Sequence, residues 1–278
     1  KMIDVIKDTI IDTLRLLPFL WVTFYFIEVI EHKYQNKSKK FIQKSGNFGP
    51  LLGGVLGIIP QCGFSVMATN LYITRIITLG TLISIYLSTS DEMLPILLAE
   101  NKNIKDIIFL LLIKAIIGII SGFMIDFIVR KKEDVQVETI CKQEHCHCEK
   151  GLFSSSLNHT LNTTIFIFIT TFFINILMHY SLEEYLKSIF HSQSILTPFL
   201  SSLIGFIPNC GSSIILTELY LNQILSTGSL IAGLLTGSGV AVLVLFRNNK
   251  NKKENLTIVA LIYFIGVFSG LILNLLGI

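Results

Sequence analysis

The chain has 278 residues, of which 51% are hydrophobic and only 15% charged, and its mean hydropathy is +0.67. Soluble proteins carry about a quarter charged residues, so this composition excludes an ordinary soluble protein and predicts a membrane protein with several spans. The net charge of +3 does not indicate nucleic-acid binding, because the lysines lie in short loops, where they report membrane orientation.

The first part of the chain contains one long apolar run and two short ones. Residues 10–30 form the long run, and we expect it to be retained, because the charged residues before it do not resemble a cleavable signal. The short runs 48–60 and 64–76 each measure roughly 20 Å as helices, so neither alone crosses an apolar core of about 30 Å. They predict one broken span or a re-entrant hairpin with Gln61, Cys62 and Gly63 at its tip.

The remaining runs alternate with polar segments. Residues 78–98 are apolar except for the polar segment at 88–92, and 107–129 form a full span. A long hydrophilic linker follows at 133–151. Beyond the linker come the apolar run 161–178, the broken region 197–246, the basic loop 247–253 and the last span 256–276.

The chain is a duplication. The segment Gly57-Ile58-Ile59-Pro60-Gln61-Cys62-Gly63-Phe64-Ser65 returns as Gly205-Phe206-Ile207-Pro208-Asn209-Cys210-Gly211-Ser212-Ser213. The offset of 148 residues, the difference between Gly205 and Gly57, holds without a gap from 49–126 to 197–274. Within lipid, a break at Pro and Gly survives only where protein or a wet cavity satisfies the freed backbone groups, so each copy predicts a broken, functional region.

The charges of two equivalent loops predict the topology. The loop 31–47 carries five lysines, whereas its counterpart 180–196 is almost free of basic residues, so the two loops lie on opposite sides of the membrane. This places the linker inside, both termini outside and an odd number of crossings in each copy. The sequence therefore predicts an all-α polytopic protein of two inverted repeats, each with about five helical elements, whose broken helices or re-entrant hairpins meet at the midplane. The predicted divisions are a first repeat (1–129), a cytoplasmic Cys/His-rich linker (130–151) and a second repeat (152–278).

Candidate ligands lie at the two breaks. In an inverted repeat the breaks face each other, which sets Gln61 and Cys62 against Asn209 and Cys210. The alternative is that Pro and Gly only shape a hairpin and that the cysteines are small apolar fillers. Two turns beyond the cysteines, on the same helical face, lie Asn70 and Glu218.

The polar segment at 88–92 supplies further candidates. Ser90, Asp91 and Glu92 stand inside an apolar run, and the counterparts of the two acids are Gly239 and Val240. A charge at the bilayer centre costs on the order of 3 kcal/mol, so an intramembrane carboxylate is a functional candidate. The alternative is a helix cap near an interface. Lys114 either compensates a carboxylate when the site is empty or extends toward an interface.

The ligand types are mixed. Carboxylate, amide and hydroxyl oxygens suit Mn²⁺ or Mg²⁺, whereas thiolates suit softer ions. The crowded thiols and imidazoles of the linker are typical of metal binding in a reducing compartment, although the spacing matches no standard zinc finger. The alternative is an incidental tract. The linker candidates are Cys141, His145, Cys146, His147 and Cys148.

Five motifs together resemble the ten-helix heavy-metal exporter family, whose members are labelled manganese transporters or arsenic efflux proteins. The motifs are Asp12-Thr13-Leu14 with Leu17-Pro18-Phe19, Glu31-His32-Lys33, Pro60-Gln61-Cys62-Gly63-Phe64-Ser65, Leu87-Ser88-Thr89-Ser90-Asp91-Glu92-Met93-Leu94-Pro95, and Ile207-Pro208-Asn209-Cys210. The resemblance covers nearly the whole chain and implies an exporter of a metal or metalloid in the bacterial inner membrane.

The sequence thus favours a secondary-active exporter of a divalent cation, Mn²⁺ first, and not an enzyme. No phosphate-binding loop of the Gly-x-x-x-x-Gly-Lys kind occurs, so nucleotide is not the direct energy source. The alternative is an arsenical or metalloid permease that uses Cys62 and Cys210 as ligands. No cofactor is required beyond the transported ion. The expected partners are the lipid bilayer, the metal ion and a coupling proton, with a second copy of the chain kept as a candidate.

Overall fold

The computed structural model describes residues 48–58, 62–89, 93–100, 102–129, 152–177, 196–208 and 210–277, together with isolated helical positions between 7 and 25. Every regular element in these ranges is an α-helix, which confirms the all-α prediction there. The helices are α1 (Gly49–Gly57), α2 (Cys62–Ile73), α3 (Leu79–Ser88), α4 (Met93–Ala99), α5 (Ile104–Val129), α6 (Leu152–Leu177), α7 (Thr197–Gly205), α8 (Cys210–Leu221), α9 (Thr227–Thr236), α10 (Ala241–Asn248) and α11 (Lys252–Leu275).

The duplication predicted from the sequence is also present in the helices. The five helices α7 to α11 each begin 148 residues after their counterparts α1 to α5, as Cys210 follows Cys62. The predicted interruption of the run 78–98 is confirmed, because α3 ends at Ser88 and α4 begins at Met93. We call α1 to α5 the first copy and α7 to α11 the second copy.

Equivalent residues start the third helix of each copy. The hydroxyl of Thr78 accepts a hydrogen bond of 3.1 Å from the backbone N–H of Thr81, three residues later. In the same way, the hydroxyl of Ser226 accepts one of 3.2 Å from the backbone N–H of Ser229. Each cap is in turn bound to the last long helix: Thr78 donates to Asp126 at 2.6 Å, and Ser226 donates to Asn274 at 2.7 Å. Hydroxyl caps of this kind satisfy backbone donors that a helix leaves unpaired.

Glycines allow the long helices of each copy to touch at the backbone. A Cβ on Gly80 would lie 2.1 Å from the carbonyl oxygen of Gly122, and a Cβ on Gly228 would lie 2.5 Å from that of Gly270. Small residues at helix crossings are how membrane helices approach closely, because no hydrophobic effect drives their association within lipid. The contacts join α3 to α5 and α9 to α11, with α1 and α7 packed against these pairs.

Three stretches among the described residues are long and apolar enough to cross a membrane: Ile104–Val129, Thr227–Asn248 and Lys252–Leu275. The predicted spans 107–129 and 256–276 are therefore confirmed as apolar helices, and Thr227–Asn248 combines α9 and α10. Both long helices display large exposed apolar side chains, such as Phe127 at 77% and Phe264 at 68% exposure, as lipid contact requires. The predicted loops 31–47 and 180–196 and the linker 130–151 lie outside the described residues.

The two copies pack against each other reciprocally. Helix α2 of the first copy contacts α10 of the second, and α8 of the second contacts α4 of the first. Helix α3 also contacts α9, its own counterpart. Such exchange of equivalent partners is what an approximate two-fold axis produces. That the axis lies in the membrane plane, so that the repeats are inverted, stays a prediction, as does the division into 1–129, 130–151 and 152–278.

Candidate functional site

The two breaks predicted from the sequence do separate short helices, but the helix after each break begins at the cysteine. The predicted tip was Gln61, Cys62 and Gly63, but α2 begins at Cys62, so the cysteine and the glycine are helical. In the second copy Pro208 lies in a bend and α8 begins at Cys210. The reason is that a proline pushes the residue before it out of the helical region and is well tolerated just before or at a helix start, so the chain resumes its helix soon after it.

Several predicted ligands lie outside the described residues. They are Gln61, Ser90, Asp91, Glu92 and Asn209, the side chains of Cys62 and Cys210, and the linker residues Cys141, His145, Cys146, His147 and Cys148. Convergence of the two cysteine side chains therefore stays a prediction. Among the residues that are described, no three His, Cys, Asp or Glu side chains lie close enough to hold a metal ion.

A buried polar network lies directly beside the polar segment at 88–92. It joins Ser65 and Thr69 of α2, Tyr86 and Thr89 at the end of α3, and Lys114 of α5, all of which are at most 1% exposed. We call these five residues the Lys114 cluster. The hydroxyl of Thr69 bonds that of Tyr86 and donates to the carbonyl oxygen of Ser65 at 2.8 Å. The hydroxyls of Ser65 and Thr89 are 3.1 Å apart.

Lys114 is the charged member of this cluster. Its ammonium donates to the backbone carbonyl oxygen of Thr89, and the side chain is 1% exposed, so it does not extend toward an interface. The carbonyls at a helix C-terminus carry partial negative charge, and Thr89 caps the C-terminus of α3. Thr89 is followed directly by Ser90, Asp91 and Glu92 in the sequence.

The second copy has no such cluster. At the offset of 148 residues, Leu234 replaces Tyr86, and Ile262 replaces Lys114. Both replacements are buried apolar side chains, at 3% and 0% exposure. Asp91 and Glu92 also lack acidic counterparts. The second copy keeps two of the hydroxyls, because Thr217 donates to the carbonyl oxygen of Ser213 at 2.7 Å as Thr69 does to that of Ser65. The two copies therefore differ at this helix end in the buried ammonium, the Tyr86 hydroxyl and the two acids.

Asn70 lies on the boundary between the copies. It is 1% exposed, and its side-chain oxygen accepts a hydrogen bond of 3.2 Å from Asn248 at the end of α10. The amide nitrogen of Asn70 and the amide oxygen of Asn248 are buried and have no hydrogen-bond partner among the described residues. Their counterparts are Glu218, which is half-buried, and Glu100, which is exposed. Buried polar atoms are normally paired, so the two free atoms can bind a small polar group or water.

A second contact that the sequence analysis missed joins the copies close by. Arg75, in the turn after α2, makes a bidentate ion pair with Glu254 in the first turn of α11, at 2.7 Å and 3.0 Å. The planar fork of the guanidinium matches the two carboxylate oxygens, so the two charges compensate each other at the boundary between the copies. A comparison of the copies position by position points to Tyr86 and Arg75, because their counterparts are the apolar Leu234 and the uncharged Gln223.

Comparison with known proteins assigns the family. A family model described as "Putative, 10TM heavy-metal exporter" matches residues 1–177 and 148–277. The chain belongs to this family. It is thus a multi-pass membrane protein of a heavy-metal exporter family, which confirms the resemblance given by the sequence motifs. No curated protein and no solved structure gives a significant match to the chain.

The family's description names ten spans. The sequence prediction reaches that number by counting the runs 10–30, 48–60, 64–76, 78–98 and 107–129 of the first repeat and their counterparts, whereas the structure divides 78–98 into α3 and α4. The second matched segment covers the whole second copy, as expected if both copies belong to one exporter unit.

Proposed function

We propose that the chain is a secondary-active exporter of a divalent metal cation, Mn²⁺ first, that works by alternating access around a site between its two broken regions. Membership of a heavy-metal exporter family supports the class. The single observation that carries the cation site is the Lys114 cluster: a fully buried ammonium bound next to the polar segment with two acids, and found in only one of two equivalent copies.

The charge balance of the proposed site favours a dication. A buried ammonium is stable only with negative partners, and the nearest in sequence to its carbonyl acceptor are Asp91 and Glu92. With Glu218 these make three carboxylates against one ammonium, a net charge of −2. A divalent cation neutralises that charge, whereas a monovalent cation leaves one carboxylate uncompensated. Lys114 then keeps the site partly neutral when the metal is absent.

The proposed ligand set is rich in oxygen. Asp91, Glu92 and Glu218 supply charge, and Ser90, Gln61, Asn70 and Asn209 supply neutral oxygens, which are the ligands that Mn²⁺ prefers. The linker residues 141–148 would bind metal on the cytoplasmic side and deliver it to the site. Proton coupling and an inner-membrane location, with both termini outside, complete the proposal.

A second candidate function is export of arsenite or another trivalent metalloid through Cys62 and Cys210. The observation in its favour is that the two cysteines are the first residues of the equivalent helices α2 and α8. Thiolates are the ligands that such soft ions require. The acids would then carry protons rather than the substrate.

Purified protein in proteoliposomes distinguishes the two candidates. Uptake of Mn²⁺, Fe²⁺, Zn²⁺, Co²⁺ and arsenite is measured for the wild type, for Asp91→Asn and for the double variant Cys62→Ser, Cys210→Ser. A manganese exporter loses Mn²⁺ uptake in Asp91→Asn and keeps part of it in the double serine variant. Arsenite uptake that disappears only in the serine variant would replace the first proposal with the second. Absence of uptake for the whole panel would refute both.

A further inference from the structure

The boundary between the copies consists of two seams that are equivalent by position. The first seam is formed by α2 with α10 and, through the ion pair of Arg75 with Glu254, by the start of α11. The second seam is formed by α8 with α4 and, through Lys102 over the ring of Tyr220, by the residues just before α5. The approximate two-fold axis described above relates the first seam to the second. Any difference between them therefore reports a difference in state or in side chains, because the backbone plan is shared.

The first seam is closed by a network around the carboxylate of Glu254. Both of its oxygens bind the Arg75 guanidinium, Tyr72 donates its hydroxyl to one oxygen, and Asn249 donates to the other at 3.4 Å. The Arg75 guanidinium also lies 5.1 Å from the centre of the Tyr72 ring. The ion pair is half-buried, with side-chain exposures of 31% and 17%. We call Tyr72, Arg75, Asn249 and Glu254 the latch. The Asn70–Asn248 bond adds a further link across the same seam.

The second seam has the same turn but no latch. Gln223 is the counterpart of Arg75, and both residues have a positive φ, at 60° and 58°. The backbone bonds of the two turns match as well: Gln223 N–H donates to Tyr220 at 3.0 Å, and Arg75 N–H donates to Tyr72 at 2.8 Å. The left-handed conformation costs energy for a residue with a side chain, so its presence in both copies shows that the turn geometry is imposed by the fold.

The residues that would close the second seam are exposed and are not joined by a hydrogen bond. Asp106 is the counterpart of Glu254, and both Asp106 and Gln223 are exposed, without a side-chain hydrogen bond in the described part of the chain. Glu218 and Glu100 stand at the positions of Asn70 and Asn248, and two ionised carboxylates, which only accept hydrogen bonds, do not form the bond that links those asparagines. Helix α8 also packs less extensively on α4 than α2 packs on α10. The second seam keeps one contact of its own, since the Lys102 ammonium lies 5.8 Å from the centre of the ring of Tyr220, the counterpart of Tyr72. One seam is therefore held by a bidentate ion pair, and its equivalent packs less extensively and has no ion pair between described residues.

We infer that the latch is a gate: it holds the first seam shut in the state that this structure represents, and the other state is reached when the first seam opens and the second closes. This inference rests on the proposed function, because alternating access requires two states that exchange the closed side. A bidentate arginine–carboxylate pair with extra hydrogen bonds is suited to this role, since it is strong yet exposed enough for water to replace it.

The latch can be removed from one seam and built into the other. Arg75→Gln gives the first seam the residue that the second seam has. The double variant Gln223→Arg, Asp106→Glu gives the second seam the ion pair that the first seam has, on a turn of the same geometry. The charge-swapped variant Arg75→Glu, Glu254→Arg restores a pair and tests whether Arg75→Gln acts through the ion pair. Lys105→Gln removes an exposed cation beside Asp106 and is the matched control.

Hydrogen–deuterium exchange of the purified full chain, without metal, is the readout. In Arg75→Gln we expect the exchange rate to rise about tenfold at 70–78 and 249–256, because a tenfold change corresponds to the loss of one strong charged contact. We expect the exchange rate to fall at 218–226. The second-seam variant should do the reverse, the swapped variant should resemble the wild type, and Lys105→Gln should change neither seam. A rise at the first seam with no fall at the second would overturn the inference, because the pair would then be a local contact only.

Failure of the gate and failure of the proposed function give different results. If exchange at the two seams is reciprocal but the wild type moves none of the tested ions, the gate stands and the proposed cargo is wrong. If the wild type transports metal but the seams respond independently, the gate is wrong and the transport proposal stands. A charge-swapped variant that behaves like Arg75→Gln also counts against the latch.

Discussion

Replacement of Lys114 by methionine tests whether the buried ammonium compensates intramembrane acids. Methionine keeps most of the side-chain volume but removes the charge and the hydrogen bond to the Thr89 carbonyl. A hydrogen bond to a charged group contributes about 1.5–3 kcal/mol, and leaving the partner of a buried pair uncompensated costs about 3–5 kcal/mol. Lys114→Met should therefore destabilise the protein by at least about 2 kcal/mol. In a chain of this size that is a fall in apparent melting temperature of roughly 4–8 °C.

The measurement is thermal unfolding of the purified variants in detergent, and a cycle of variants isolates the charge effect. Asp91→Asn combined with Lys114→Met should recover part of the lost stability, because it removes the uncompensated carboxylate. Lys105→Met changes an exposed lysine of the same helix and should stay within about 0.5 kcal/mol of the wild type. If Lys114→Met is as stable as the wild type, or if Asp91→Asn makes it worse, the charge argument behind the proposed metal site is refuted.

Three further predictions concern the scaffold, and each is checked by the same thermal unfolding. Gly122→Ala places a Cβ 2.6 Å from the Gly80 carbonyl oxygen and should lower the free energy of unfolding by about 1–3 kcal/mol. Gly237→Ala, whose Cβ would lie 3.5 Å from the nearest atom, should lower it far less, and equal losses would contradict the tight helix crossing. Asp126→Ala removes the acceptor of the Gly80 N–H bond and should cost about 0.5–2 kcal/mol, while Asp126→Asn should be milder, because the second copy uses Asn274 there. Tyr86→Phe removes the bond to Thr69 and should cost about 0.5–1.5 kcal/mol; no change would mean that this hydroxyl is dispensable.

The sequence predicted the helical class, the duplication and the break at 88–92 because these depend on local signals. The five consecutive polar residues at 88–92 interrupt an apolar run locally, and an exact offset of 148 residues needs no structure to be seen. The start of α2 at Cys62 was placed too late, since the sequence does not show how soon after Pro60 a helix resumes.

The polar contacts were harder to predict, because they join residues far apart in the sequence. Arg75 and Glu254 are 179 residues apart, and only the reciprocal packing of the copies brings them together. Lys114 was recognised as a buried candidate, but its acceptor is a backbone carbonyl, which no side-chain pattern reveals. The hydroxyls of Ser65 and Thr69 gave no signal of their own, because serine and threonine are common inside membrane helices, where they bond the preceding turn.

The backbone contacts at Gly80 and Gly122, and at Gly228 and Gly270, limit how this molecule can change shape. With carbonyl oxygens that close to the neighbouring helix, sliding α3 along α5 by even one residue, about 1.5 Å, would drive a side chain into the main chain. In the proposed exchange of states we therefore expect α1, α3 and α5 to move as one rigid unit and α7, α9 and α11 as another, with the shorter helices between these units changing position. A compound that binds between α8 and α4 would prevent the second seam from closing, and it would do so without contacting the proposed metal ligands.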